Sequence, residues 1–388
     1  MDSNTASSSL PQNATPLRTR LRKSLKEIEE QCTDCGACMR HCAFLKQHGS
    51  LLTLVRQLEL STPEQVQISF GCSLCGLCTT VCPQKLDPCG LFLDLRRHRA
   101  AMAPLELTPY KALLFYERLG ASKLFSLFHL PPGCTTIFFP GCALPGTRPA
   151  VTHRLFAHLQ SQNKNLGLVL TCCTKPSHDL GRSDVFQNNF QAIKKRLLTH
   201  HITTVLTACP NCTAIFRQYA PELSTENIFS LLAEFVPAPI DNPHKHQEVV
   251  VHDPCPLRGD RQSQEAARTI VSQLGYTIRP MAHQQNKTLC CGEGGAVGCV
   301  QPQLATSWTQ KRIAQAQGRT IITTCGGCSA MFARFTAVLH LADLLFGKYV
   351  GNSPQPKISK PPMTYLNRLL LKLRYSWRVW WHKKAGEN

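Results

Sequence analysis

Eight cysteines near the N-terminus form two identical runs. They are Cys32-x2-Cys35-x2-Cys38-x3-Cys42 and Cys72-x2-Cys75-x2-Cys78-x3-Cys82, the second followed by Pro83. Three cysteines at this spacing wrap a loop around one face of an iron–sulfur cubane, and the fourth reaches the other cluster of a pair. The spacing assigns Cys32, Cys35, Cys38 and Cys82 to one [4Fe–4S] centre, and Cys72, Cys75, Cys78 and Cys42 to another. Gly36 and Gly76 fall where each loop must bend, and N–H groups there can hydrogen-bond to sulfur. Structural zinc is the competing use, but it favours paired cysteines separated by a longer gap. Cys89 lies outside the pattern and reads as a buried thiol.

Ten further cysteines fall into two sets of five: Cys142, Cys172, Cys173, Cys209 and Cys212, then Cys255, Cys290, Cys291, Cys325 and Cys328. First cysteine to adjacent pair spans 30 and 35 residues, pair to last motif 36 and 34, and both sets end in Cys-x2-Cys. An interval that repeats in this way implies duplicated half-domains. Five thiols exceed the four that a structural zinc or a cubane needs. Disulfides within each set would leave the repeated fifth cysteine unexplained. Two adjacent thiols serve one ligand only where the backbone turns, and glycine permits the turn in Leu289-Cys290-Cys291-Gly292-Glu293-Gly294-Gly295. Gly292-x-Gly294-x3-Gly298 has the wrong spacing for a dinucleotide loop. His178-Asp179, His252-Asp253 and Glu293 lie beside these sets, where such residues relay protons or, more commonly, cap helices and orient loops. Cys134 and Cys299 have no counterparts in the repeat and read as structural.

The elements that must carry these thiols change character along the chain. Between the two runs, Leu51, Leu52, Leu54, Val55, Leu58 and Leu60 have helical spacing, and Thr62-Pro63-Glu64 starts another helix. A charged helix over Leu17–Glu30 leads into the first run. Residues 90–132 read as helices, with Leu105–Leu130 a helical connector ended by Pro131-Pro132-Gly133. From Thr135, short apolar strands alternate with amphipathic helices: strands over Thr135–Phe139, Leu166–Leu170, Thr203–Thr207, Glu248–Val251 and Thr320–Thr323, and helices over Arg148–Gln160, Val185–His200, Arg261–Leu274 and Leu304–Gln317. This alternation implies a parallel sheet, with the cysteines just past strand ends, where α/β sheets place ligands.

The chain of 388 residues is long enough for several domains, and its 43% apolar content is that of a folded protein. Its start, Met1-Asp2-Ser3-Asn4-Thr5, lacks the pattern of a signal peptide, so the 21 cysteines point to metal ligation in a reducing compartment rather than to a disulfide framework. No run is long and apolar enough for a transmembrane helix. The net charge of +19 suggests an anionic partner. From Lys357 onward there are 8 basic residues against 1 acidic, so much of that charge sits in the tail, which weakens a nucleic-acid reading. There Leu366, Leu369, Leu370, Leu373, Trp377, Trp380 and Trp381 gather on one side of a helix, with Arg368, Lys372, Arg378, His382 and Lys383 on the other. Leu371, Tyr375 and Val379 spoil the division. Such a helix suits a cytoplasmic, anionic membrane surface, or else docks on the protein or a partner subunit.

The two five-cysteine sets resemble the cysteine-rich CCG domains of heterodisulfide reductase and its relatives, the iron–sulfur subunits of anaerobic glycerol-3-phosphate dehydrogenase, glycolate oxidase and lactate-utilisation systems. The N-terminal runs resemble the ferredoxin module fused to those domains. The resemblance covers residues 25–346 and eighteen cysteines. It implies a helical two-cluster ferredoxin domain followed by a duplicated α/β CCG domain. It further implies one or two noncubane [4Fe–4S] clusters in the CCG sets, with a catalytic role for Cys255, Cys290, Cys291, Cys325 and Cys328. The first set departs from the pattern, with Thr174 after Cys172-Cys173 where the second has Gly292. The expected partners are a flavoprotein dehydrogenase or a membrane cytochrome or quinone subunit, because the chain has no convincing flavin or nicotinamide fingerprint. The substrate would be a disulfide or a quinone, and the alternative is an electron carrier with no substrate site of its own. The expected organisation is a disordered tail over 1–24, a ferredoxin domain over 25–100, a connector over 101–133, CCG halves over 134–240 and 248–346, and a basic amphipathic helix over 361–384. Linkers are expected over 237–247 and 347–360.

Overall fold

The computed structural model describes residues 14–234, 236, 246–347 and 358–385. Most of the expected tail and most of both linkers lie outside these residues. Residues 14–24 of that tail belong to a helix, Ala14–Gln31, which packs Leu21 and Ile28 into the ferredoxin core. Arg20 also pairs with Asp94 of the helix Pro88–Met102.

Short helices carry the ferredoxin domain. Ser50 caps Leu51–Gln57 by accepting from Thr53 N at 3.2 Å, and Asp87 caps Pro88–Met102 by accepting from Gly90 N at 3.0 Å. The two cysteine loops share one backbone course. Asp34 and Leu74 have φ of 50° and 52°, and Gly36 and Gly76 have φ of 69° and 70° before the helices Ala37–Arg40 and Leu77–Val81.

The connector departs from the expected all-helical course. Its main helix spans Lys111–Ala121, and Leu127–His129 form a strand, β1, paired antiparallel with the strand Gly167–Leu170. The strand is short and only half-buried, so its pairing is decided by tertiary contact.

The remaining strands are β2 Thr136–Phe139, β3 Gly167–Leu170, β4 Thr204–Thr207, β5 Ser224–Asn227, β6 Glu248–His252, β7 Thr277–Ile278, β8 Thr320–Thr323 and β9 Val338–His340. They form two sheets, ordered β1-β3-β2-β4-β5 and β7-β6-β8-β9. Apart from β1 every pairing is parallel. The order β3-β2-β4-β5 repeats as β7-β6-β8-β9, so the duplication read from the cysteine intervals is a duplication of topology. Val249, Val250 and Val251 are buried in succession, as a strand covered on both faces requires.

One apolar core joins the halves: Leu155 and Phe156 of the first lie in the same cluster as Ile270, Leu344 and Leu345 of the second. The ferredoxin core in turn includes Cys290, Val297, Ala305 and Trp308 of the second half. The three modules are therefore packed on one another.

The C-terminal helix Met363–Ala385 joins the shared core through Leu371 and Tyr375, the residues that spoiled its two-sided reading. Arg368 is buried as well, stacked over Tyr116 at 4.8 Å, and Asn367 donates to the Gly146 carbonyl at 2.8 Å. Leu366, Leu370, Leu373 and Trp377 remain exposed. The helix thus docks on its own protein while keeping an outward apolar stripe. No described helix is long and apolar enough to cross a membrane.

Candidate functional site

Cys32, Cys35, Cys38 and Cys82 line one pocket, together with Leu51, Leu86 and Pro88. This four-thiol donor set around an apolar pocket fits a [4Fe–4S] cubane. Burial pushes the Cys38 thiol up to about 11, with neighbouring Cys32 adding to the effect. Cys42, Cys72, Cys75 and Cys78 form a second group. Burial pushes Cys42 up to about 12, with Cys75 and Cys290 among the charges it senses, while Cys78 senses Cys72, Cys75 and Cys42. The fourth cysteine of each run thus lies with the first three of the other run. Cys89 sits against this second group and is pushed up to about 12 by burial.

In each CCG half the first cysteine lies just past the central strand, and the last two open a helix. Cys209 and Cys325 occupy the N-cap positions of the helices Pro210–Tyr219 and Gly326–Phe332. Cys-x2-Cys then places Cys212 and Cys328 in the first turn, on the same side as the cap. The contact with Cys212 holds Cys209 low, while Cys212 and Cys328 are pushed up. Cys212 Sγ lies 3.3 Å from Cys173 Sγ, and Cys172 Sγ lies 4.0 Å from Cys142 Sγ. The contact with Cys172 lowers Cys142 to about 7 and raises Cys172. In the second set, hydrogen bonds from Cys255 and then Cys291 hold Cys290 low, and Cys291 is linked in turn to Cys328. All ten thiols therefore gather as two groups of five.

The residue after each adjacent pair turns left-handed. Gly292 has φ +97°, and a Cβ there would fall 2.3 Å from the Ala305 carbonyl oxygen. Thr174 takes φ +56° without a glycine. The first set's departure from glycine therefore preserves the turn. The residues that follow, Lys175 and Glu293, have opposite charge and lie within electrostatic reach of each other. Lys175 also senses Cys255 and Cys173, one thiol from each set. Cys142, Cys209, Cys255 and Lys175 are half-buried and Glu293 is exposed, whereas the remaining thiols of the two sets are buried.

The two histidine–aspartate pairs serve different purposes. His178 Nδ1 meets Asp179 Oδ1 at 2.8 Å, and its Nε2 meets the Tyr219 hydroxyl at 2.8 Å. Asp253 takes both Arg268 Nη atoms, at 2.7 and 2.9 Å, and the Gln285 N–H at 2.6 Å, which orients the loop leading to the cysteine pair. Cys134 is buried in the core of the first half, and Cys299 is exposed.

The glycine stretch after Cys291 packs on the ferredoxin domain. A Cβ on Gly295 would sit 2.6 Å from the Cys72 carbonyl oxygen, so only glycine allows this approach. Cys75 senses the charge of Cys290, and Arg258 donates to the Cys75 carbonyl at 3.0 Å. Arg96, fully buried, donates to the carbonyls of Ser69 and Cys72 in the ferredoxin domain, Asp179 in the first half and Gly295 in the second. Nothing in the sequence marked Arg96. Lys175 was legible in principle, as the counterpart of Glu293 in the repeat.

Comparison with known proteins agrees with this architecture. The family described as "4Fe-4S dicluster domain" matches residues 31–87, and that described as "Cysteine-rich domain" (CCG) matches 136–217 and 249–333. The chain is 24% identical over 354 residues to one subunit of the fumarate reductase (CoM/CoB) of Methanothermobacter marburgensis, covering 83% of this chain and 69% of that one. It is 23% identical to one subunit of the dihydromethanophenazine:CoB–CoM heterodisulfide reductase of Methanosarcina mazei, covering 76% and 86% respectively. Among solved structures, Picrophilus torridus aspartate racemase aligns at 13% identity over 55% of this chain and 90% of that one, with a TM-score of 0.26, too low to carry an argument. The chain belongs to the CCG iron–sulfur proteins of the heterodisulfide reductase type, in which a dicluster ferredoxin domain precedes a duplicated cysteine-rich domain. An oxidoreductase-type role follows at the level of the family.

Proposed function

We propose that this chain is the electron-transfer subunit of a reductase complex, with a disulfide-reducing site at the second five-cysteine set. Cys32, Cys35, Cys38 and Cys82 would hold one [4Fe–4S] cluster, Cys72, Cys75, Cys78 and Cys42 a second, and the CCG sets one or two more. Clusters so held supply one-electron chemistry. The observation that carries the reading is the packing of the Cys290–Gly295 loop directly on the Cys72–Gly76 loop, with Cys75 beside Cys290. A thiol group meant only for structure has no need of that neighbour.

Reducing a disulfide takes two electrons and two protons and yields two thiols. Lys175, which is paired with Asp179 and senses both Cys173 and Cys255, would offer a positive field to a sulfur that gains electron density there. A flavoprotein, cytochrome or quinone subunit would supply or accept the electrons. The exposed stripe Leu366, Leu370, Leu373 and Trp377 on a strongly basic tail supports peripheral attachment to the cytoplasmic face of an anionic membrane. The test is electron paramagnetic resonance on anaerobically purified, reduced protein, with and without added disulfides and quinones. A signal from the CCG sets that changes with disulfide supports the reading. A signal indifferent to every disulfide, with intact electron transfer to a partner, leaves a carrier without a substrate site.

A further inference from the structure

The two halves also differ at the buried end of a strand beside the thiols. His252 ends β6, three residues before Cys255, and pairs in register with Thr323. Phe139 ends β2, three residues before Cys142, and pairs in register with Thr207. The topology therefore makes His252 and Phe139 counterparts. A ring nitrogen of His252 and the sulfurs of Cys291 and Cys328 lie within 4.8 Å of one another, all buried. The first half has only an aromatic hydrocarbon in that place.

Whether His252 binds metal or donates to sulfur depends on which nitrogen carries the proton, and Arg312 decides this. Arg312 is fully buried, and its Nε–H donates to His252 Nδ1 at 3.0 Å. A guanidinium has only donors, so Nδ1 must present its lone pair. The proton of the neutral ring then lies on Nε2, which is buried and has no hydrogen-bond partner of its own. Arg312 is itself anchored, with Nη1 donating to the His283 carbonyl and to Gln315 Oε1, so the arrangement is held from outside the thiol group. The His252 ring also packs edge-on against Phe332, with centroids 4.9 Å apart. A protonated Nε2 cannot ligate iron, but it can donate to a thiolate.

We propose that His252 is a positioning residue of the second CCG set, its unpartnered Nε2–H donating to a sulfur of the centre that Cys291 and Cys328 would hold and raising that centre's reduction potential above that of the first set. This rests on the reading that the second set holds an iron–sulfur centre. Donation to sulfur favours the more negative, reduced state, which raises the potential. The asymmetry would make the set in contact with Cys75 the preferred resting place for an electron.

The test uses the full chain, purified anaerobically with its clusters. Pulsed EPR on protein carrying 15N-histidine should show one weakly coupled nitrogen on one centre only. A strong coupling, as from a directly bound nitrogen, or no coupling on any centre, overturns the proposal. His252→Phe, which installs the counterpart residue, should lower the midpoint of one centre, leave the others unmoved and keep the iron content. His252→Gln, whose amide also donates, should recover part of the shift. Unchanged midpoints in a fully loaded His252→Phe protein contradict the proposal, and loss of about four irons would make His252 a ligand instead. If neither variant folds, the isotope measurement on the native sequence still decides. Absence of any EPR signal or iron beyond the two ferredoxin centres would defeat the underlying reading rather than the role of His252.

Discussion

Arg96 Nη1 donates to the carbonyl of Gly295 at 2.9 Å, across 199 positions of chain. The same guanidinium reaches Asp179 at 2.7 Å and Ser69 at 3.0 Å, so one side chain satisfies carbonyls of all three modules. Ser69 O also accepts the Cys72 N–H at 3.1 Å, so Arg96→Met would take the guanidinium from the carbonyls of Cys72, Asp179 and Gly295, and each buried orphan costs about 1–3 kcal/mol. The expected loss of stability is at least about 3 kcal/mol, read as a fall in the guanidinium chloride midpoint under anaerobic conditions. Arg96→Lys should not restore it, because an ammonium cannot present the planar fork.

The two CCG halves are joined by a buried ion pair. Arg148 Nε meets Asp343 Oδ2 at 2.7 Å, and Arg148 Nη2 meets Ser329 Oγ at 3.1 Å. Removing one partner strands the other charge. Asp343→Leu should therefore cost about 3–5 kcal/mol, while combining Asp343→Leu with Arg148→Met should cost less. A double variant no more stable than the single one would contradict this.

Asp179 sets part of the acid limit. Burial alone would raise its carboxyl, but Lys175 and His178 hold it well below the usual carboxylate range. With the folded value depressed, its contribution is present above about pH 4 and is lost as pH falls toward the folded value. Asp179→Asn should thus lower Tm near neutral pH, and the gap to the native protein should narrow on acidification. A gap that widens toward low pH would give the opposite sign.

The C-terminal helix separates docking from exposure, so the two can be altered independently. Changing Leu366, Leu370, Leu373 and Trp377 to Ser touches exposed side chains and should move stability by only about 0.5 kcal/mol each. It should abolish sedimentation with phosphatidylglycerol vesicles, which the native chain should show and which should weaken with salt. Equal sedimentation of both proteins would remove the membrane reading.

Much of this site was legible in the residues. Cys209 and Cys325 announce strand ends because a thiol at an N-cap and another one turn on must face one ligand. The repeat intervals carried the duplicated topology, although β5 went unread because Ser224-Thr225-Glu226-Asn227 is polar, and β7 and β9 because they are short. Thr174 shows a limit of reading by residue type: its φ of +56° is imposed by the surrounding turn, against its own preference. Leu371 and Tyr375 looked like flaws in an amphipathic helix, because angular position says which residues share a face and not which face is covered. Arg96 and Arg312 could not be found at all. Their partners are backbone carbonyls and a histidine brought close only by the fold.

The most direct measurement is iron and acid-labile sulfide per chain in anaerobically purified protein, with EPR to assign the centres. Two ferredoxin centres and one or two CCG centres predict about twelve to sixteen irons, with a signal beyond those of the cubanes. About eight irons, with all signals accounted for by Cys32–Cys82, would leave the CCG sets empty and contradict a redox site beside Cys75.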